Sequence, residues 1–369
     1  MQSLLPTLLA ALVYLASLLG LAPGGGRSHP AEGTHPSASA GDAIVPPALA
    51  SYPGATEVMA YYAERRAGDP APYRSLSRAA GALTTVIPFA YRVDATGRIS
   101  GRIDGRLLAL ARTRGLKVLA LVHNAGNGRF DAGTAHALLA NPLARQRAID
   151  QLFTLLVQTG LDGVNLDLEN IPAQDRRNFT TFVRDLAAKL RPRHFLLTAS
   201  LPAKTAEDRW SSWSGAYDYP ALDPYLDQVV LMAYDEHVPG GTPGPVASIG
   251  WVERVVRYAV TAFPRQKIVL GIPAYGYVWG GTGGKAVSYG QAASLIEQNG
   301  VGPIWDHRAQ VPYFQYTQAG QTRRVWYEDS RSAAVKASLI KKHGLRGVAV
   351  WRLGYEDPAV WSALARKLA

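Results

Sequence analysis

After Ser51 the chain alternates eight short apolar runs of β type with longer stretches of helical periodicity, and this alternation leaves few folds open to it. The runs are Val58 to Tyr62, Thr84 to Phe89, Lys117 to Val122, Gly163 to Leu168, Phe195 to Ser200, Gln228 to Ala233, Lys267 to Ile272 and Gly347 to Trp351. Between the fourth and fifth, Phe179, Phe182, Val183, Leu186 and Leu190 recur at helical spacing. A helix expected over 330–342 stops at Gly344, a residue suited to the left-handed turn beyond a helix end. Strand–helix units of this kind build a parallel sheet, and eight of them close into a (β/α)8 barrel, the α/β architecture called a TIM barrel. One connection exceeds a simple crossover: Ala274 to Arg324 is read as a small α/β insertion after strand seven. Its aromatics, Tyr275, Tyr277, Trp279, Trp305, Tyr313, Phe314 and Tyr316, either wall a cleft or form the insertion's own core, and core is the expectation for most. The Gly280 to Lys285 run is not a phosphate loop, because Trp279 stands at the first glycine position and Ala286 follows the lysine.

Ahead of this domain, Leu4 to Ala22 is an uncharged apolar stretch followed by Pro23, three glycines and a Ser/His/Pro/Ala-rich segment reaching about Ala50. Residues 1–25 are read as a signal peptide or an uncleaved membrane anchor, since the stretch is close to the roughly 20 residues that span a bilayer and has no basic leading region. Residues 26–50 are read as a flexible linker, and 51–369 as one folded domain containing the 274–324 insertion. The product is expected outside the cytoplasm: secreted, wall-associated or membrane-anchored. Lys plus Arg (39) exceed Asp plus Glu (28), giving a net charge of +11. That balance favours an anionic partner such as a bacterial wall. Nucleic acid is not expected, because the arginine pairs Arg65-Arg66, Arg176-Arg177 and Arg323-Arg324 are scattered. With no cysteine, disulfides, thiolate nucleophiles and thiolate-bound zinc are excluded. A monomer with no cofactor is expected.

The segment Leu161-Asp162-Gly163-Val164-Asn165-Leu166-Asp167-Leu168-Glu169-Asn170 carries the chemistry. Asn165, Asp167 and Glu169 alternate along one strand, so period two puts all three on one face. They would point into the barrel while Val164, Leu166 and Leu168 pack outward, with Glu169 at the carboxyl-end rim where barrel active sites lie. A hydrogen-bonded interior network without chemistry would account for Asn165 and Asp162, but poorly for two carboxylates at the rim. Two carboxylates about 6.5 to 7 Å apart along a strand can lean together, and one is then driven to hold a proton and serve as a general acid. A metal site is the rival chemistry. His123 and His237 fall near the ends of strands three and six, but no second-strand carboxylate pair accompanies them, so no metal is expected.

These residues resemble glycoside hydrolase family 18, whose strand-four signature Asp-x-x-Asp-x-Asp-x-Glu is matched by Asp162, Asn165, Asp167 and Glu169. The strand-six element Met-x-Tyr-Asp is Met232-Ala233-Tyr234-Asp235, and the strand-eight tryptophan is Trp351. The likeness runs from Glu57 to the C-terminus. Pro88-Phe89 with Tyr91-Arg92-Val93, Tyr234 to His237, Gly271 to Tyr277 and Val325 to Asp329 look like the branch that lyses spore cortex and acts on peptidoglycan. Asn165 departs from the chitinase pattern, which has an aspartate there; a neutral Asn is expected still to hydrogen-bond Asp167. No LysM-type wall-binding repeat is visible, so affinity for a wall is expected from charge or an anchor.

The resemblance implies retaining, substrate-assisted hydrolysis of a polysaccharide, peptidoglycan or chitin, in which the 2-acetamido carbonyl of the sugar attacks its own anomeric carbon. Glu169 would be acid and then base, Asp167 would orient the acetamido group, and Tyr234 would hydrogen-bond it. Asn165 and Asp162 would support the pair. Trp351 would form the sugar's floor, with Asp235, Asn124 and Tyr275 binding substrate. An endochitinase is the near alternative. A carbohydrate-binding barrel without activity is a third reading, disfavoured because Glu169 is present, and a metal-dependent hydrolase is the most distant.

Overall fold

The computed structural model describes residues 56–369 apart from 127, 281 and 282; the segments read as signal or anchor (1–25) and linker (26–50) lie outside the described residues. Eight strands coincide with the eight apolar runs: β1 (Glu57–Tyr62), β2 (Thr85–Val93), β3 (Lys117–His123), β4 (Gly163–Asp167), β5 (Leu196–Pro202), β6 (Gln228–Met232), β7 (Ile268–Pro273) and β8 (Gly347–Trp351). Each pairs in parallel with its sequence neighbours, and β1 pairs with both β2 and β8, which closes the (β/α)8 barrel. A short strand, Ile99–Gly101, adds antiparallel to the end of β2.

Alternation along each strand sorts the core into two populations. Outward residues such as Val118, Val164, Leu166, Leu197, Val229 and Leu270 bury against the helices. Inward residues, among them Met59, Tyr61, Ile87, Leu121, Val230 and Trp351, fill the barrel's lumen. The helix Arg176–Leu190 buries Phe179, Phe182, Val183, Leu186 and Leu190, the stripe expected from their spacing. Ser330–His343 begins with a capping box between Asp329 and Ser332 and ends at Gly344 in the left-handed conformation.

The insertion after β7 is a five-stranded antiparallel sheet, ordered Gly283–Ser288, Tyr275–Gly280, Gln321–Trp326, Val311–Gln318, Ile304–Asp306, with the helix Tyr289–Asn299 against it. Its aromatics divide. Phe314 and Tyr316 form its own core with Val278 and Val325, whereas Tyr275, Tyr277 and Trp279 belong to the cluster at the barrel mouth. Their strand leaves β7 directly, so its first residues are still within reach of the lumen.

Candidate active site

Asn165 and Asp167 face the lumen from β4, and Glu169 follows two residues later on the same side, at 7% exposure. The ladder between β3 and β4 ends at the pair His123 and Asp167, one rung short of Glu169. The side chain of Asn124 supplies the missing rung. Its Oδ1 accepts from the Glu169 backbone N–H at 2.9 Å and its Nδ2 donates to the Glu169 carbonyl at 2.9 Å, as a backbone peptide would. Nδ2 also donates to the Asp131 carbonyl at 3.1 Å. On the flanks, Tyr217 donates its hydroxyl to the Leu168 carbonyl at 2.7 Å, and Asn170, left-handed at φ 54°, donates to the Phe130 carbonyl at 3.0 Å. The backbone carrying Glu169 is therefore tied on three sides.

Beneath the carboxylates lies a polar layer whose donors and acceptors are matched. Asn165 Nδ2 donates to Thr198 Oγ1 at 2.9 Å and its Oδ1 accepts from Ser200 Oγ at 3.0 Å. With the serine proton so committed, the Tyr61 hydroxyl donates to Ser200 across 2.8 Å. The expected hydrogen bond from Asn165 to Asp167 is absent. Thr198 stands in register with Asn165 on β5, closer than a residue one pleat up its own strand. The polar layer thus leaves the charge of the carboxylates unneutralised.

Burial raises the pKa of Asp167, and burial, then the charge of Asp167, then that of Asp235 raise that of Glu169 well above the usual carboxylate range. A carboxyl held neutral there, beside one that can ionise, can donate a proton at neutral pH. Tyr234, half-buried, is pushed far above the usual phenol range by burial and then by Tyr61, Asp167, Glu169 and Asp235, so it remains a hydroxyl donor. Its ring fits against β7 because Gly271 has no side chain: a Cβ there would lie 3.3 Å from Tyr234 Cε1 and 2.3 Å from the Leu231 carbonyl oxygen. Trp351 closes the lumen at 6% exposure, edge-on to Tyr61 at 5.3 Å and to Phe89 at 6.1 Å between ring centroids.

Three expectations for individual residues are corrected. Asn124 is fully buried and has its amide engaged with backbone, so it holds Glu169 rather than meeting a sugar. Tyr275 is equally buried and donates to Asp235 Oδ1 at 2.5 Å, where Tyr277 also donates at 2.6 Å. It anchors Asp235 and reaches no open surface. Asp162 does not support the pair: it precedes β4, where its Oδ2 accepts from the Val118 backbone N–H at 2.7 Å, at the opposite end of the strand from Glu169. Tyr61, Ser200 and Tyr217, not anticipated from the sequence, join the site through these hydrogen bonds. His123 stacks on Phe89 at 4.0 Å, and His237 Nδ1 pairs with the Pro245 carbonyl.

Residues 57–356 match the family model described as glycosyl hydrolases family 18. The chain belongs to this family. A glycosidase of the family, it is 30% identical over 305 residues to the "Uncharacterized glycosylase YvbX" of Bacillus subtilis, spanning 81% of this chain and 89% of that one. It is 31% identical over 290 residues to the "Cortical fragment-lytic enzyme" of the same organism, with 77% and 67% spanned. Among solved structures, the spore cortex-lytic enzyme SleL of Bacillus megaterium QM B1551 superposes with a TM-score of 0.79 at 28% identity, over 85% of this chain and 74% of that one. A chitinase from Chromobacterium violaceum ATCC 12472 gives 0.79 at 34% identity, over 85% and 99%.

Proposed function

We propose that the chain is an exported hydrolase of N-acetylglucosamine-containing glycan in peptidoglycan, acting by retaining, substrate-assisted catalysis, with Leu4 to Ala22 as export signal or anchor. The observation that carries the chemistry is the buried pair Asp167 and Glu169 on one face of β4 and its end, where burial and the charge of its neighbour favour the neutral form of Glu169. Glu169 gives its proton to the glycosidic oxygen as that bond breaks, while the acetamido oxygen of the same sugar forms a bond to the anomeric carbon. Asp167 and the Tyr234 hydroxyl hold the acetamido group as it becomes an oxazolinium. Water then attacks the anomeric carbon, losing its proton to the Glu169 carboxylate, and the ring opens with net retention. Trp351 packs beneath the sugar. No enzyme nucleophile takes part.

The cortical fragment-lytic relatives and the net charge of +11 support peptidoglycan over chitin. The second reading, an endochitinase, is favoured by the Chromobacterium chitinase, whose chain is spanned almost completely. Digesting purified peptidoglycan and chitin in parallel at low salt separates them. Walls should yield fragments ending in N-acetylglucosamine at enzyme concentrations that leave chitin intact, and faster release from chitin would establish the second reading. Binding to walls should weaken as salt shortens the Debye length from about 10 Å at 0.1 M to about 3 Å at 1 M.

The Asn124 clamp leads to a further expectation. Asn124→Ala leaves the Glu169 N–H and carbonyl unpaired in a buried place and lets the carboxyl drift; a displacement of about 1 Å costs on the order of 10²-fold in rate. Turnover should fall by about that factor with KM within threefold, as steady-state kinetics on a soluble glycan would show.

A further inference from the structure

The rim between β2 and β3 carries a cation that this reaction leaves unused. Arg92 stands in register with His123, and His123 with Asp167, so three adjacent strands bring a guanidinium, an imidazole and a site carboxylate into one row. The guanidinium lies over Gly126, in the hairpin Ala125–Gly126 with Arg129–Phe130 that follows β3. A Cβ at Gly126 would come within 3.1 Å of Arg92 Nη2, so the absent side chain leaves room for it. Arg92 is exposed and makes no ion pair among the described residues. Asp94 and Asp131 feel its charge, yet their oxygens are engaged elsewhere, Asp94 by Thr96 and the Arg98 N–H and Asp131 by the Thr134 N–H. His123 cannot compete as a cation, since burial and then the charge of Arg92 push its pKa down to about 3.

Between Arg92 and the lumen the wall is aromatic. Trp351 meets Phe89 edge-on at 6.1 Å, and Phe89 stacks on His123 at 4.0 Å. A glycan seated on Trp351 and continuing along this wall would bring its neighbouring sugar to the guanidinium, whose planar fork of donors can hold a carboxylate by charge-assisted hydrogen bonds. We propose that Arg92 is a specificity residue that reads a carboxylate on the sugar next to the one at Trp351: the lactyl carboxylate of a muramyl residue, or one on the peptide attached to it. Chitin presents only a neutral hydroxyl at that place, so Arg92 favours wall glycan. This inference rests on the peptidoglycan reading above.

The test compares wild type, Arg92→Gln and Arg92→Lys on three soluble substrates of matched length: wall glycan stripped of peptides, wall glycan bearing them, and chitin oligosaccharide. Loss of one charge-assisted contact should lower the ratio of kcat/KM on wall glycan to that on chitin oligosaccharide by about tenfold in Arg92→Gln, mostly through KM. Arg92→Lys should recover part of it. Stripped glycan whose lactyl carboxyls have been amidated should show the same loss with wild-type protein if the lactyl group is read; a loss confined to peptide-bearing glycan assigns the peptide carboxylate. A ratio unchanged within twofold, or an equal fall on all substrates, overturns the role of Arg92 while the peptidoglycan reading stands on the wild-type preference. A wild-type chain that cleaves only chitin oligosaccharide overturns both.

Discussion

Glu169→Gln should lower turnover by at least about 10⁴-fold on any glycan the wild-type chain cleaves, because the amide keeps the shape of the side chain but has no proton to give and no carboxylate to accept one. Near-normal turnover would remove Glu169 from the acid/base role. The same variant tests the electrostatics. Burial, with the charges of Asp167 and Asp235, raises the Glu169 pKa, so the fold favours the neutral carboxyl. Its contribution to stability is then complete below the ordinary glutamate range and is lost as pH climbs through the raised value. Wild type should lose thermal stability between pH 5 and pH 8 more steeply than Glu169→Gln, and activity should survive above neutral pH until the donor ionises. Melting curves at the two pH values and a pH–rate profile measure both; parallel melting curves would contradict the raised pKa.

Asp167→Asn should be nearly as damaging, about 10³-fold in turnover with a modest change in binding, since a neutral amide cannot stabilise the positive charge of an oxazolinium. The substrate carries the complementary test. Glycan stripped of its N-acetyl groups has no internal nucleophile and should resist cleavage, while a thiazoline mimic of the cyclised sugar should inhibit. Efficient hydrolysis of the deacetylated polymer, or a glycosyl ester trapped on the protein, would exclude the substrate-assisted route.

The barrel was legible because each strand carries its own alternation, and the same alternation put Asn165, Asp167 and Glu169 on one face. That parity also contained the answer for Asp162, which lies out of phase with the three and in phase with the outward Val164 and Leu166. Asn124 and Tyr275 depart from what their sequence positions suggest for a different reason. A polar residue after a strand advertises hydrogen-bonding capacity, but its partner is set by tertiary packing, which here placed Asn124 beside a backbone with an unfinished ladder and Tyr275 beside Asp235. Tyr61 and Ser200 escaped notice inside runs that read as plain apolar strands. They meet only once β1 and β5 face each other across a closed lumen, a relation 139 residues long in sequence.

Closure of the ring has a consequence for when the molecule becomes competent. The seam joins the first strand to the last, with Arg346 hydrogen-bonded to Glu57 and Arg352 to the Ala63 carbonyl, each pair 289 residues apart. Contacts that distant are entropically expensive to form and come late in folding. In synthesis from the N-terminus the two carboxylates that β4 positions emerge well before Trp351 of β8, which completes the lumen with Tyr61 of β1. A partly made polypeptide would hold its acid in an open, wet sheet, where the carboxyl ionises as it does in water. Hydrolytic power is thus withheld until β8 has joined β1, and the appearance of activity during refolding should track the last barrel contact to form.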